Sequence, residues 1–305
     1  MPRAVLAGLK KKPVSISAIC AMLDSGGSAG RLRKHYKISS PGDIRRAFLA
    51  LANTSPVVEN LFDFRFQAGE LKGHNFANLF IAALELSTNN YEESIREIKK
   101  MLNIRQEHEV LPSTVDKSHL YAKLENGKVI SGETNIDIPR HNGKLKIRKV
   151  FLKPKAKAYP KALEAIKKGD IIVIGPGDLY SSLSQIFLAE GMSEAIKKSK
   201  ARKIYICNLM TKHGETNGYR VEDFTSKIEE IVGSEMDYVI YNNKKVSPKR
   251  IGQYKKKHKE LIGLVKFSSS LNRQKFVGAD VITSSGSIIH DPEKMAKIIM
   301  EINGS

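Results

Sequence analysis

Four loops rich in glycine and polar side chains hold the residues of this 305-residue chain that could do chemistry. The first, Asp24-Ser-Gly-Gly-Ser-Ala-Gly-Arg-Leu-Arg33, follows an apolar run. Gly26 and Gly27 let backbone approach a ligand closely. Arg31 and Arg33 carry planar guanidinium groups suited to bridging phosphate oxygens. Asp24 stands where the strand ends, a place for a carboxylate that holds a ribose hydroxyl or a metal ion. A surface turn with solvated arginines is the plainer reading of the same residues. The second loop begins Gly175-Pro-Gly-Asp178 and runs through Ser181 and Ser182 into an amphipathic helix pattern. Gly175 and Gly177 clear the approach to the helix start, whose free N–H groups and dipole favour an anion. Ser181 adds a donor, and Asp178 is expected to cap the helix.

The third loop runs from Cys207 to Tyr219 after a buried strand and offers Asn208, Thr211, Glu215 and Thr216 as ligand contacts. Polar loops placed after such strands often carry function. His213 reads as a solvated loop residue. In the fourth, Gly73 to Asn78, His74 and Asn75 either cap a helix or face a cleft, with Asn78 one turn further on. No HExxH, CxxC or G-x-S-x-G pattern occurs, which argues against a zincin or an α/β-hydrolase. Cys20 and Cys207 lie in apolar runs and read as buried small hydrophobes rather than a redox pair or a zinc module.

Composition narrows the partners. Lys plus Arg number 51 against 32 Asp plus Glu, a net charge of +19 that favours phosphate-bearing ligands. Eight basic residues and no acid fall within residues 244–259, a pattern read as a solvated helix face. A nucleic-acid reading rests on net charge alone, because no RNA-binding aromatic signature accompanies it. No apolar run approaches the roughly 18 residues of a bilayer span, and the amino end lacks the form of a secretory signal, so a cytoplasmic chain is expected. The oligomeric state is left open, with a homo-oligomer among the readings.

These loops need strands to hold them at one edge. VSISAICAM, residues 14–22, reads as a buried strand. From Pro41 the spacing turns helical, with a helix start expected at Asp43, and residues 41–103 read as an all-helical insert. After Asn103, strand-like segments return: EVLPSTVD, SHLYAKLE, KVISGETNIDI and KLKIRKVFL. A strand–helix alternation then runs through DIIVIG, KIYICN, DYVIYN and VGADVITSSG, with DLYSSLSQIFLAEG read as one helix. Alternation of this kind predicts an α/β fold with a parallel sheet covered on both faces, built from residues 1–40 and 104–305. Ligands in such sheets sit beyond the carboxyl ends of the strands.

Taken together, DSGGSAGRLRK, PGDIRRAFLALA, GELKGHNFANLFIAAL, GETNI, YPKALEAIKKGDIIVIGPGDLYSSL, CNLMTKHGETNGY and the terminal HDPEK resemble, in order, the gluconeogenesis factor family, homologous to 2-phospho-L-lactate transferase. The matched blocks add Asp43 and Arg45 to the candidate ligand contacts. The resemblance implies a Rossmann-like three-layer α/β/α sheet of order 3-2-1-4-5-6 with a helical insert, and a cleft for a nucleotide-like ligand. One branch of the family is a magnesium-dependent transferase that joins a phospholactyl group to a deazaflavin alcohol. The other is implicated in cell shape and growth on gluconeogenic carbon, and binds UDP-sugars. The glycine–arginine block aligns this chain with the second branch. A cytoplasmic nucleotide-sugar-binding regulator is therefore expected. The alternative is a transferase in which Asp24 holds Mg²⁺ and Arg31 and Arg33 the diphosphate.

Three positions depart from the family pattern. Ser25 stands where the family has a second aspartate, and Ile289 where many relatives have arginine ahead of His290 and Asp291. The family also opens with a strand and a GGGTG loop, whereas Met1 here stands at the start of the following helix. The functional chain is therefore expected to begin upstream by roughly 10–20 residues, one strand plus a turn. The sheet of residues 1–305 is expected to show a gap beside the strand near 14–22, or a non-native strand filling it.

Overall fold

β-Branched apolar runs become the strands and the amphipathic stretches between them the helices of the computed structural model, which describes residues 2–304. In chain order the elements begin with α1 (Arg3–Leu9), β1 (Ile16–Cys20) and α2 (Gly27–Tyr36). The helical stretch is α3 (Pro41–Leu51), α4 (Pro56–Asp63), α5 (Phe76–Thr88) and α6 (Tyr91–Met101). There follow β2 (His108–Pro112), β3 (His119–Leu124), β4 (Val129–Ser131), α7 (Glu133–Asp137), β5 (Ile147–Lys153), α8 (Pro160–Lys168) and β6 (Ile171–Ile174). A π-helical turn (Leu179–Leu183) leads to α9 (Ser184–Phe187), α10 (Met192–Lys198), β7 (Arg202–Ile206) and β8 (Met210–Lys212). The chain closes with α11 (Val221–Val232), β9 (Tyr238–Asn242), α12 (Pro248–Lys257), β10 (Leu261–Leu264), β11 (Phe276–Ala279) and α13 (Pro292–Gly304).

The parallel strands form a Rossmann-like α/β layer in two parts. β1 pairs parallel with β2, Ile16 opposite His108 and Cys20 opposite Pro112. β6, β7, β9 and β11 pair parallel in that order. Among the described residues β1 hydrogen-bonds only to β2 and β6 only to β7, so the layer carries the expected gap beside β1. Two antiparallel pieces flank it: β4-β3-β5, with the expected ENG hairpin turn at Gly127, and β8 with β10.

Alternation along the strands sorts the interior into two cores, one on each face. Ile204, Ile206 and Ile240 face Val5, Phe48, Ile98 and Met295. Tyr205, Cys207 and Val239 face Leu120, Ala162, Met192 and Phe224. Both cysteines are buried and unpaired, as their apolar surroundings imply.

Three local expectations are corrected. GETNIDI does not continue β4: Gly132 takes φ +91, which ends the strand and starts α7. DLYSSLSQIFLAEG is not one helix. Leu183 N–H donates to Asp178 O five residues back, making the π turn, and Gly191 at φ +95 restarts the chain as α10. The helix read from Asp43 begins at Pro41, with Ser40 at its cap position and Asp43 in the first turn bonded to Arg46.

Gly8 marks where α1 meets α13. A Cβ there would lie 2.0 Å from Pro292 O, so the two helices touch backbone to backbone. Gly8→Ala is expected to cost about 1–3 kcal/mol by forcing them apart, read as a lower denaturant midpoint. An unchanged midpoint would contradict this packing.

Candidate functional site

The carboxyl ends of β1 and β6 open onto one end of a cavity of about 1730 Å³. Ten of the residues singled out above line it: Asp24, Gly26, Gly27, Asp43, Arg45, Asn78, Gly175, Gly177, Asp178 and Asn208. Glycines shape the walls. A Cβ on Gly42 would sit 2.7 Å from Asp24 Oδ2, and one on Gly26 would sit 2.6 Å from Thr134 Oγ1. Asn208 Nδ2 donates to Gly177 O at 2.9 Å, which ties the third loop to the second.

At the β1 side the centre is a carboxyl pair. Asp24 Oδ1 accepts the Gly26 N–H at 3.0 Å, and Glu133, at the start of α7, accepts the Ser25 N–H at 3.3 Å. Glu133 lies close enough to Asp24 for each carboxyl to feel the other's charge state. Burial, with the charges of Asp24 and Asp137 added, pushes Glu133 up to about 8. Burial raises Asp24 as well, Asp43 adding to it. Two half-buried carboxyls so close cannot both ionise cheaply, and Glu133 is the one that keeps its proton at neutral pH. Opposite them, Arg46 Nε donates to Asp43 at 3.0 Å, and Arg45 Nη1 donates to Asp63 at 2.8 Å. Asn78, 5% exposed, lines the cavity with its Oδ1 buried and without a hydrogen-bond partner.

At the β6 side the helix start is already occupied by a carboxylate of this chain. Glu215 accepts from the Tyr180 and Ser181 N–H groups at 2.9 and 3.0 Å and from Ser181 Oγ at 2.8 Å. The N–H groups expected to be free for an anion are thus used internally. Lys212, also buried, places its Nζ against Asp137, 2.9 Å from Asp178 and 3.2 Å from Glu215. Burial alone would lower the ammonium's pKa, and the three carboxylates, Glu215 foremost, more than reverse it. Asp178 therefore pairs with Lys212 instead of capping the helix with its side chain. Asp137, Asp178 and Glu215 are the three acids whose spacing would suit a metal ion among the described residues, and Lys212 lies among them.

The remaining candidates do structural work outside the cavity lining. Arg31 Nη2 donates to Lys72 O at 2.9 Å. Arg33 Nη2 donates to Ser118 O at 2.5 Å and Nη1 to Leu23 O at 3.4 Å, so it braces the end of β1 instead of facing a phosphate. His74 Nδ1 meets Ser28 Oγ, and Asn75 caps α5 by accepting from Asn78 N while its Nδ2 donates to Phe62 O and Phe64 O. Thr211 Oγ1 donates to Gly263 O, and Thr216 Oγ1 accepts the Lys212 N–H. His213 is exposed as expected. Sequence reasoning missed Glu133, Arg46, Asp137 and Lys212. Gly132 ahead of Glu133 signalled a helix start, and Lys212 three residues before Glu215 signalled an ion pair.

Two outcomes test these electrostatics. Lys212→Met leaves buried Glu215 uncompensated beside half-buried Asp137 and Asp178, and is expected to cost about 3–5 kcal/mol of stability near neutral pH, with part recovered as the acids protonate at low pH. A chemical denaturation series across pH measures it, and a loss that does not depend on pH would count against the ion node. Glu133 keeps in the folded state a proton that the unfolded chain releases near 4.5. Its contribution to stability is therefore present at low pH and lost as pH rises through about 8. Glu133→Gln is expected to flatten the decline in melting temperature across that window, and an equally steep decline in the variant would remove Glu133 as its source.

The arrangement has counterparts. A family model described as 2-phospho-L-lactate transferase CofD matches residues 3–281. The gluconeogenesis factor of Bacillus subtilis is 36% identical over 306 residues, covering 98% of this chain and 93% of its own length. That of Halalkalibacterium halodurans is 42% identical over 259 residues, 84% of this chain and 79% of its own. A crystal structure of a Bacillus halodurans protein superposes with a TM-score of 0.90 at 36% identity, covering 98% of this chain and 96% of that one. The chain belongs to the CofD family, among relatives named gluconeogenesis factors.

Proposed function

We propose that this chain is a cytoplasmic nucleotide-sugar-binding regulator of cell-envelope and carbon metabolism, acting through the cleft at the carboxyl ends of β1 and β6. The observation that carries this reading is Asn78, a residue of the cleft lining whose buried Oδ1 has no hydrogen-bond partner. A buried polar atom left unpaired costs about 1–3 kcal/mol, so a ligand that supplies a donor recovers it. A base N–H or a sugar hydroxyl supplies that donor. Arg46, half-exposed beside Asp43, is the guanidinium placed to meet a diphosphate. Ile289, also in the lining, presents an apolar contact. Arg45 and Arg46 of α3 are the cations of the lining beside Asp24 and Asp43. No helix among the described residues is long and apolar enough to cross a membrane.

A second reading, a phospholactyl-type transferase, is favoured by the carboxyl pair. Asp24 and Glu133 stand close together in a site that raises both pKa values, a donor set that suits a divalent cation. These two residues would hold Mg²⁺, which when bound offsets charge on a transferring phosphoryl group. The chain's own part would be to orient the diphosphate with Arg46 and to seat the acceptor alcohol against Asn78. Such transfer relies mainly on positioning and charge stabilisation.

Calorimetry with UDP-glucose and UDP-N-acetylglucosamine, with and without Mg²⁺, tests both. Asn78→Ala is expected to weaken UDP-sugar binding by roughly five- to tenfold, as loss of a neutral hydrogen bond of about 1 kcal/mol implies. Its melting temperature should hold or rise, because the unpaired acceptor is gone. Equal affinity in the variant would remove Asn78 from the site. Turnover of a deazaflavin alcohol with Mg²⁺ would select the transferase.

A further inference from the structure

A second, smaller pocket of about 270 Å³ lies between α6 and β2. Its lining shares only Glu109 and Lys161 with the cavity that opens at the cleft. Among the described residues β2 pairs with β1 alone, so its other edge is open. All of His108–Pro112 line the pocket, Val110 from one core and Leu111 from the other, so it follows the strand edge instead of one face. Tyr91, Ile95 and Lys99 also line it, one row along α6 at i, i+4 and i+8. Phe48 of α3 and Ile104 complete an apolar floor.

Two polar side chains of this lining have nothing to bond. His108 is 1% exposed, and neither of its ring nitrogens has a hydrogen-bond partner. The Tyr91 hydroxyl is buried and equally without one. Strand alternation places His108 on the face of Val110, two residues on, which packs with Phe48 and Ile98. Burial holds the imidazole below its usual pKa, with the charge of Glu107 opposing. A neutral imidazole presents one donor and one acceptor, and a tyrosine hydroxyl can play either part. Such groups are costly to bury unpaired, so an occupant that both donates and accepts recovers what the fold leaves open.

The rim favours an uncharged occupant. Glu92 accepts from Tyr159 Oη at 2.5 Å and from Lys161 Nζ at 2.8 Å. Lys99 Nζ donates to Gln106 O at 2.6 Å, and Arg96 lies 3.7 Å from Glu93 and 3.6 Å from Glu97. The basic groups of the rim are thus already engaged, while Glu92 and Glu109 repel an anion. A cation would lose its hydration against Phe48, Ile95 and Ile104. The rings of Phe48, Tyr91, His108 and Tyr159 favour a planar body. An apolar cavity of about 150 Å³ already holds benzene, so this pocket admits one ring with a polar group attached.

We propose that the pocket between α6 and β2 is a second binding site, one for an uncharged planar amide or lactam whose carbonyl and N–H meet His108 and Tyr91. The apolar ring lies against Phe48, Ile95 and Ile104. This inference stands on a different cavity from the cleft and does not depend on what the cleft takes.

Benzamide and 2-pyridone are the probes, with toluene and benzoate as the apolar and anionic comparisons. Binding to the 305-residue protein is followed by calorimetry and by the ring-nitrogen shifts of isotope-labelled histidine. Both amides are expected to saturate with dissociation constants of about 1 mM or below and to move the His108 signals. They should bind about tenfold or more tightly than toluene or benzoate. His108→Phe is expected to weaken benzamide binding by about tenfold, and Tyr91→Phe by about fivefold. Tyr91→Phe removes an unpaired buried hydroxyl, so its melting temperature should hold or rise, and it keeps the test decisive if His108→Phe does not fold. UDP-glucose should leave benzamide affinity unchanged. Failure of both amides to saturate would overturn the proposal, as would toluene or benzoate binding equally well, or equal benzamide affinity in Tyr91→Phe. Competition by UDP-glucose would place the probe in the cleft and overturn it too. A Tyr91→Phe protein that melts lower and takes up neither amide would mean that ordered water satisfies these groups, which also overturns it.

Discussion

A single buried ammonium organises the β6 half of the cleft. Lys212 meets carboxylates from three places: Asp137 at the end of α7, Asp178 in the turn after β6, and Glu215 in its own loop. Glu215, the buried acid, does not tolerate burial alone, and the lysine tolerates it only in the company of the three carboxylates. Glu215 in turn takes the N–H groups that open the π turn, so the ion node also fixes the backbone of the second loop. The position of Gly177, and through it Asn208, follows from that node. Because α7 contributes Asp137 to the node and Glu133 to the carboxyl pair, one short helix links the two halves of the site.

The strands were legible in the sequence because their apolar, β-branched runs must be buried, and burial on both faces implies parallel pairing. The convergence of Asp24, Gly177 and Asn208 was legible for the same reason, since parallel strands deliver their following loops to one edge. Side-chain direction was not legible. Arg31 and Arg33 share a loop with Asp24, but one helical turn carries Arg33 round to the carbonyls of Leu23 and Ser118. Spacing along a loop says which residues arrive at an edge, not which way each points. Glu133 was hidden by its neighbours, because VISGETNI alternates like a strand until Gly132 adopts a positive φ.

The helix-start expectation failed for a physical reason. A positive helix end attracts any carboxylate in reach, and Glu215 lies in the neighbouring loop. An internal acid has no translational entropy to lose, so it outcompetes a free anion for the same N–H groups. The sequence signal for anion binding and the signal for an internal ion node are thus the same glycine-led turn, separated only by what the next loop brings.

This leaves the cleft with an unusual charge balance for a chain of net charge +19. Arg45 and Arg46 face it, but each already holds a carboxylate, Asp63 or Asp43. Across from them Glu133 keeps its proton at neutral pH beside Asp24. A diphosphate entering this space adds negative charge beside a pair that is costly to ionise. The pair must then stay protonated or exchange its proton for a cation. On the proposed reading, nucleotide-sugar binding is therefore coupled to proton uptake at Glu133, and it weakens as pH rises through the range where that proton is lost. With a divalent cation in place of the proton, the same carboxyls would balance the phosphate charge without that dependence. The two proposed readings thus differ in which positive species neutralises Asp24 and Glu133.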